Sequence, residues 1–301
     1  MKADSKLAKK IEAGEFIVTA ECAPGVTATG ATTEAALKFL NGKVAAVNFP
    51  DNSHGVAISS VAAAVTAIKF GAEPILQMVT RDRNRIALQS DLLGAASLGI
   101  KNVLCMTGYH QMLIGCPQSA NVYDVDSSQF IDLAVQMSEK GALSDGTKID
   151  GQFSMLVGAV ANPYLRPLDL NLFRFGIKIE AGAKFIQTHA VFDLEPFTEW
   201  LDAAHKEGYT KNAAILAGVF PLASADEAEQ LRSNYAEFRI PDKIVVRLKK
   251  AGDAAAQKKE GIAICAETIK QLKGLDGVRG IHILSGGKES SVPEILSAAG
   301  L

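Results

Sequence analysis

Short apolar runs rich in Val, Ile and Phe recur along the chain at nearly constant intervals. They are Phe16–Cys22, Ala45–Phe49, Pro74–Thr80, Asn102–Thr107, Phe153–Ala161, Lys184–Phe192, Ala213–Phe220 and Gly280–Leu284. Between these candidate strands, apolar residues recur at three- and four-residue steps, which is typical of amphipathic helices. The helical patterns are Ser60–Phe70, Asn84–Leu98, Gln129–Lys140, Leu170–Ala181, Glu195–Lys206, Ala225–Tyr235 and Ala254–Lys273. Repeated alternation of strand and helix predicts an α/β protein with a closed (β/α)₈ TIM barrel.

One domain is expected to span all 301 residues, because a chain with 48% hydrophobic and 21% charged residues can bury one large core. The two longest intervals between strands, residues 108–152 and 221–279, contain no Pro-, Gly- or Ser-rich linker.

The charged segment Met1–Lys10 lacks the apolar run of a secretory signal, and Ser5–Ala13 has the pattern of a short helix. No segment has the length and apolarity of a membrane span, so we expect a cytoplasmic protein.

Charge and cysteine content exclude several classes of partner. The formal net charge of −2 provides no overall field to attract a polyanion, so nucleic acid is not an expected partner. Four cysteines, none with Cys-x-x-Cys spacing, argue for buried thiols in a reducing compartment and against a zinc site. No metal ligands are therefore assigned.

In a barrel of this kind, chemistry belongs to residues at the carboxyl ends of the strands. The candidates at those positions are Glu21, Asp51, Asn52, Arg81, Asp82, Thr107, Gly108, Tyr109, Asn162, His189, Phe220, Ser285 and Gly286. A Glu21 carboxyl group that points into the apolar mouth, the end of the barrel where the carboxyl ends of the strands meet, would have a raised pKa and could act as a general acid. Alternatively, it could form an ion pair with an arginine such as Arg81. His189 is either a core histidine or a residue that positions substrate.

Several motifs point to one family. The run Arg81–Ala95 is followed closely by Asn102–Gly108, and Thr19–Pro24, Lys178–Ala183, Phe192-Asp193 and Gly280–His282 occur in the same order at similar spacing. This set resembles methylenetetrahydrofolate reductase over nearly the whole chain. The segments Arg81–Arg85 and Val292–Ile295 look most like the branch found in anaerobic one-carbon pathways, whose members often work beside a small metal-bearing subunit.

The resemblance implies a bound flavin, with FAD favoured over FMN. Matching positions place the flavin contacts at Asn52, Gln77, Thr107, Gly108, Tyr123, Asn162, Arg166, Asn171 and Lys178. Arg166 and Lys178 are the candidates to neutralise a phosphate, although Lys178 could instead lie on a solvated helix face.

The resemblance also assigns the folate site, where this chain departs from the family in several places. Glu21 matches the catalytic glutamate. Tyr109 stands where the family has aspartate, and His189 where it usually has glutamine. Glu227 replaces a glutamine that contacts folate, and Lys288 replaces an arginine that does so. Leu231 replaces an aromatic ring that packs on the ligand. The spacings Ser224–Glu227 and Ser291–Glu294 are also those of capping boxes at helix starts.

The implied activity is reduction of 5,10-methylenetetrahydrofolate to 5-methyltetrahydrofolate, or the reverse, in one-carbon metabolism and methionine biosynthesis. The expected partners are a tetrahydrofolate derivative and NAD(P)H or an electron-donating subunit, in an oligomer. Two alternatives remain open at this point. One is a diverged barrel subunit of a redox complex with an impaired folate site, for which Tyr109 and His189 argue. The other is a flavin-free, pterin-binding one-carbon transferase.

Overall fold

The computed structural model describes residues 3–301, so Met1 and Lys2, which open the charged N-terminal segment, lie outside it. Eight strands form the sheet: β1 (Ile17–Glu21), β2 (Ala46–Phe49), β3 (Pro74–Val79), β4 (Asn102–Met106), β5 (Leu156–Ala161), β6 (Phe185–Ala190), β7 (Ala214–Val219) and β8 (Val278–Ile283). Each runs parallel to the next, and β8 pairs with β1 to close the barrel. The predicted fold class, a (β/α)₈ TIM barrel, is confirmed.

The helices are α1 (Lys6–Glu12), α2 (Ala31–Leu40), α3 (Ser60–Lys69), α4 (Arg85–Ser97), α5 (Ser127–Lys140), α6 (Leu168–Glu180), α7 (Leu194–Lys206), α8 (Tyr209–Asn212), α9 (Ala225–Asn234), α10 (Asp242–Ala251), α11 (Ala254–Lys273) and α12 (Val292–Ala299). None of the helices in this described part of the chain is long and apolar enough to cross a membrane. The main apolar core lies between these helices and the barrel wall, where Trp200 stacks near Phe175 with ring centroids 5.0 Å apart.

The amino-terminal end of the barrel is closed by apolar side chains. Leu7 of α1 is fully buried against the inward-facing residues Ile17, Ala46, Ile75, Leu104, Leu156, Phe185, Ala214 and Leu216. The Glu73 carboxylate accepts the free backbone N–H groups of Lys6 and Leu7 at 2.7 and 2.8 Å, which holds α1 against the barrel. The Phe185 ring also requires Gly158 opposite, because a Cβ atom there would lie 2.3 Å from the ring.

Polar side chains form a layer in the middle of the barrel. The Gln187 amide nitrogen donates to Asn48 Oδ1 at 3.0 Å and to Thr19 Oγ1 at 3.1 Å, and Asn48 donates back to Gln187 at 2.7 Å. His282 Nδ1 lies 3.0 Å from Thr19 Oγ1. Burial lowers the pKa of His282 to about 3, so this histidine is neutral in the folded protein.

Two local predictions need correction. Ser291 makes no side-chain capping bond at the start of α12, so the capping box predicted over Ser291–Glu294 is wrong. Ser224 does cap α9 by accepting from the Glu227 N–H at 3.0 Å. The Glu227 carboxylate, however, accepts from the N–H of Ala223 rather than from that of Ser224.

Candidate active site

Glu21 is the last residue of β1 and is partly buried at the carboxyl end of the barrel. Burial raises the pKa of Glu21 to about 7, and the nearby Glu289 charge adds to the rise, while a hydrogen bond with the buried Gln77 side chain opposes it. A carboxyl group with this pKa can carry a proton at neutral pH and donate it to a bound ligand.

Arg81 is not the partner of Glu21, so the ion pair considered from the sequence does not form. Its guanidinium is buried and binds both oxygens of Asp82 at 2.6 Å. It also donates to the carbonyl oxygens of Tyr109 at 3.0 Å and Asn52 at 3.2 Å. Arg81 therefore joins the loops that follow β2, β3 and β4, and Glu21 keeps its carboxyl group for other chemistry.

Tyr109 follows β4, and its hydroxyl donates a hydrogen bond to the Glu237 carboxylate. Burial, this bond and the Glu237 charge raise the pKa of Tyr109, and the Glu21 charge adds a smaller contribution, so the phenol is neutral. Glu237 itself is 9% exposed, although it lies in a connection between two helices. The mouth thus holds a carboxylate next to the phenol that replaces the family's aspartate.

Residues 235–241, between α9 and α10, form what we call the mouth strap. Aromatic contacts hold it in place: the Tyr235 ring lies 5.9 Å from the His54 ring and 6.1 Å from the Tyr109 ring, measured between centroids. On its other side, the Phe238 ring packs edge-on against Phe220 with centroids 5.5 Å apart. The strap consequently contacts residues that follow β2, β4 and β7.

The charge of the strap carboxylate acts on two histidines. Burial lowers the pKa of His54 and of His189, and the Glu237 charge opposes the shift in both. The Lys178 charge further lowers the pKa of His189. Both imidazoles are therefore neutral at neutral pH, and neither offers a full positive charge to Glu237.

The candidate flavin contacts after β5 are divided between the loop interior and the outer surface. Asn171 is buried and donates to the Asn162 carbonyl at 2.9 Å, while Asn162 Oδ1 accepts from the Tyr164 N–H at 2.9 Å. Both amides thus shape the loop between β5 and α6. Arg166 pairs with Glu199 of α7 at 2.5 Å on the exposed outer side of that loop.

Lys178 lies on α6 but does not lie on a solvated face. Its ammonium donates to the Val160 carbonyl at 2.7 Å, and it forms no ion pair with any residue in the described part of the chain. Burial lowers the pKa of Lys178 to about 8. A partly buried cation without a carboxylate partner is suited to an anionic ligand, which would restore its ordinary pKa.

The loops after β2 and β4 hold the remaining flavin candidates. Asn52 has a left-handed φ of 51° and accepts the Ala57 N–H at 3.1 Å, and Tyr123 donates its N–H to the Thr80 carbonyl at 3.2 Å. The carbonyl of exposed Thr107 accepts from the Arg81 N–H at 3.1 Å. Gly108 has a φ of 84°, and a Cβ atom there would lie 3.0 Å from Val79. Glycine is thus required by the backbone at this position, whatever binds beside it.

Lys288 and Glu227, both predicted to bind substrate, contact one another. The Lys288 ammonium lies 2.6 Å from Glu227 Oε1 and 4.3 Å from the centroid of the Phe220 ring. Leu231 is partly buried in the apolar cluster formed with Phe192, Phe220, Phe238 and Leu284. This side of the mouth is therefore an apolar wall with one ion pair at its edge.

The sequence prediction missed His54, Tyr235 and Glu237. None of the three ends a strand, and Glu237 is 128 residues away from its partner Tyr109. The available signal was the aromatic and acidic composition of residues 235–238, which is unusual for a loop between two helices.

The mouth combines a protonatable carboxyl group, a second buried carboxylate, an apolar wall and a partly buried cation. These features define a TIM-barrel protein with a candidate ligand site at the carboxyl ends of its strands. The family model for methylenetetrahydrofolate reductase matches residues 6–300, and the chain belongs to that family.

Among curated proteins, a probable methylenetetrahydrofolate reductase (NADPH) from Caenorhabditis elegans is 24% identical over 258 residues, which is 84% of this chain and 36% of the relative. Methylenetetrahydrofolate reductase 1 of Schizosaccharomyces pombe is 24% identical over 44% of this chain and 22% of its own length. The chain therefore spans about a third or less of the length of these relatives.

Solved structures share the fold. An uncharacterized protein from Clostridium thermocellum that binds two copies of 5-methyl-5,6,7,8-tetrahydrofolic acid superposes with a TM-score of 0.66 at 13% identity, covering 98% of this chain and 99% of the other. An F420-dependent secondary alcohol dehydrogenase superposes with a TM-score of 0.53 at 12% identity, covering 95% and 99% of the two chains.

Proposed function

We propose that this chain is a cytoplasmic, flavin-dependent reductase that converts 5,10-methylenetetrahydrofolate to 5-methyltetrahydrofolate, or runs in reverse. The observation that carries the proposal is Glu21, a carboxyl group at the barrel mouth whose pKa is raised to about 7. Family membership supports the reaction class, and the bound ligand of the Clostridium thermocellum protein makes 5-methyltetrahydrofolate the natural probe.

The cofactor in this proposal is a flavin, with FAD preferred over FMN. Lys178 fits such a group because its ammonium is partly buried without an ion-pair partner in residues 3–301 and can bind a phosphate. Half-buried Gly108, next to the mouth residue Tyr109, has no side chain that could keep a planar ring away from its backbone. When bound, the flavin would supply or accept the electrons, drawn from NAD(P)H or from an electron-donating subunit.

The residues of the chain supply orientation and a proton. Glu21 protonates a ring nitrogen of the methylene-bridged folate, which opens the bridge to an electrophilic iminium. Gln77 holds the Glu21 carboxyl group through their hydrogen bond. His189 and Tyr109, both neutral, position the pterin, and Leu231 contributes to the apolar wall that excludes water from it.

Replacing Glu21 tests this role directly. Glu21→Gln should retain bound flavin and lower folate turnover by about two to four orders of magnitude, because only the proton donor is lost. Flavin reduction by the electron donor should change little, since that half-reaction does not need the iminium. Glu294→Gln, at an exposed position of α12, is the matched control for loss of one acidic charge. Turnover of Glu21→Gln equal to that of wild type would exclude Glu21 as the acid.

One observation favours a second candidate, a diverged barrel subunit of a redox complex. The Tyr109 hydroxyl is engaged by Glu237 and the Lys288 ammonium by Glu227, so two groups assigned to folate are already paired within the chain. Titration with 5-methyltetrahydrofolate separates the two functions, because the subunit would hold flavin without binding folate. A purified protein with no visible flavin spectrum would instead support the pterin-binding transferase.

A further inference from the structure

Glu237 is a carboxylate in a position where removal from water makes a negative charge unfavourable. It is 9% exposed, and within residues 3–301 its side chain accepts one hydrogen bond, from the Tyr109 hydroxyl, and forms no ion pair. A desolvated carboxylate is stable only when several N–H or O–H donors, or a cation, satisfy its oxygens. The described residues supply one neutral donor, so most of the hydrogen-bonding capacity of Glu237 remains available.

Among residues 3–301, the cations near the mouth contact other groups, including Arg239 of the mouth strap, whose guanidinium lies 5.9 Å from the centroid of the Tyr164 ring. Lys288 pairs with Glu227 at 2.6 Å, and Lys178 donates to the Val160 carbonyl at 2.7 Å. His54 and His189, on which the Glu237 charge acts, are kept neutral by burial. A ligand with N–H donors would therefore find unused acceptor capacity on the Glu237 carboxylate.

The position of Glu237 is fixed by its surroundings. Tyr235 packs on Tyr109 and Phe238 packs on Phe220, so contacts on both sides of Glu237 hold the mouth strap. The Glu21 charge acts on the Tyr109 hydroxyl, so Glu21 lies near the phenol that is hydrogen-bonded to Glu237. A ligand that contacts both carboxyl groups would meet a proton donor at Glu21 and an acceptor at Glu237.

We infer that Glu237 is the substrate-recognising carboxylate of the mouth, and that it binds a planar edge with adjacent N–H donors, such as the 2-amino and ring N–H groups of a pterin. Tyr109 is then a positioning residue that orients the Glu237 carboxylate. This inference rests on the proposed function and adds to it a specificity-determining group outside the strand ends.

The test compares two probes, 5-methyltetrahydrofolate and its 2-oxo analogue, which lacks the 2-amino donor, by calorimetric titration of the full chain. Wild type should prefer the amino form by about 10- to 100-fold, the range expected for hydrogen bonds to a charged group. Glu237→Gln should lose about as much affinity for the amino form and bind the two probes within about threefold of each other. Asp242→Asn, exposed at the start of α10, is the control and should behave as wild type.

Tyr109→Phe provides an independent variant should Glu237→Gln fail to fold, as judged by circular dichroism and thermal melting. It keeps the carboxylate, so it should bind both probes more weakly than wild type while retaining most of the preference. Equal binding of the two probes by wild type, or an unchanged preference in folded Glu237→Gln, would overturn the role of Glu237 and leave the proposed function intact. Wild type that binds neither probe would overturn the proposed function and this inference together.

Discussion

At the residue scale, the pairing of Tyr109 with Glu237 changes what the departure at Tyr109 means. A phenol in place of an aspartate removes a charge from the end of β4, but the mouth strap brings a carboxylate to the same place. The site therefore still holds a negative charge, but the residue that carries it lies 128 residues after Tyr109 in the sequence. A substitution that restores the family's residue at position 109 would consequently place two carboxylates together.

Tyr109→Asp should therefore weaken binding of 5-methyltetrahydrofolate by about 10-fold or more, because two like charges in one partly buried site oppose each other. Adding Glu237→Gln to that variant should restore affinity to within about threefold of wild type, since one carboxylate remains. Titration of wild type, both single variants and the double variant measures the coupling. Additive losses in the double variant would contradict a shared site.

We expect Glu21 to lower the stability of the folded protein while it supports the proposed activity. Its pKa is about 7 in the folded state and near 4.5 when the chain is unfolded, so the unfolded chain binds fewer protons between those values. The free energy of unfolding should thus fall as pH rises from 4.5 to 7. Glu21→Gln should be more stable than wild type by about 1–3 kcal/mol at pH 8, and the gain should vanish near pH 4. Urea unfolding at both pH values tests this, and an equal difference at the two would contradict it.

At the scale of elements, the strands and most helices follow from local pattern, whereas the mouth strap does not. Eight apolar runs matched the eight strands. Several runs extend past the strand, as at Cys22, whose side chain stays buried beyond the end of β1, whereas the run Gly280–Leu284 began after the start of β8 at Val278. The amphipathic helix α10 was missed inside the long interval before β8. Glu21, Tyr109 and His189 could be found because strand ends converge in a barrel. Glu237 could not, because its place depends on how a loop packs across the closed sheet.

The short helix α1 should contribute stability and no chemistry. Leu7 is fully buried at the amino-terminal end of the barrel, opposite the mouth. Leu7→Ala should lower the free energy of unfolding by about 2–5 kcal/mol through the cavity it leaves. At a temperature where the variant stays folded, affinity for 5-methyltetrahydrofolate should equal that of wild type. A change in affinity beyond about threefold would show that the two ends of the barrel are coupled.

At the scale of the whole molecule, the barrel separates three layers along its axis. Apolar side chains fill the amino-terminal end, hydrogen-bonded polar groups occupy the middle, and titratable groups gather at the mouth. The layer built on Gln187 and His282 lies between the mouth and the apolar end. We therefore expect substitutions at the mouth to affect ligand binding more than the stability of the fold.

The buried ammonium of Lys178 means that cofactor loading should exchange protons with the solvent. Its pKa of about 8 leaves it half protonated at pH 8, and a bound phosphate would restore full protonation. Loading of flavin into apoprotein at pH 8 should then take up about half a proton, and the calorimetric enthalpy should vary with the ionisation enthalpy of the buffer. Lys178→Arg, which is always charged, should show no such contribution. Cofactor supply and cellular pH would in that way be thermodynamically linked through one side chain.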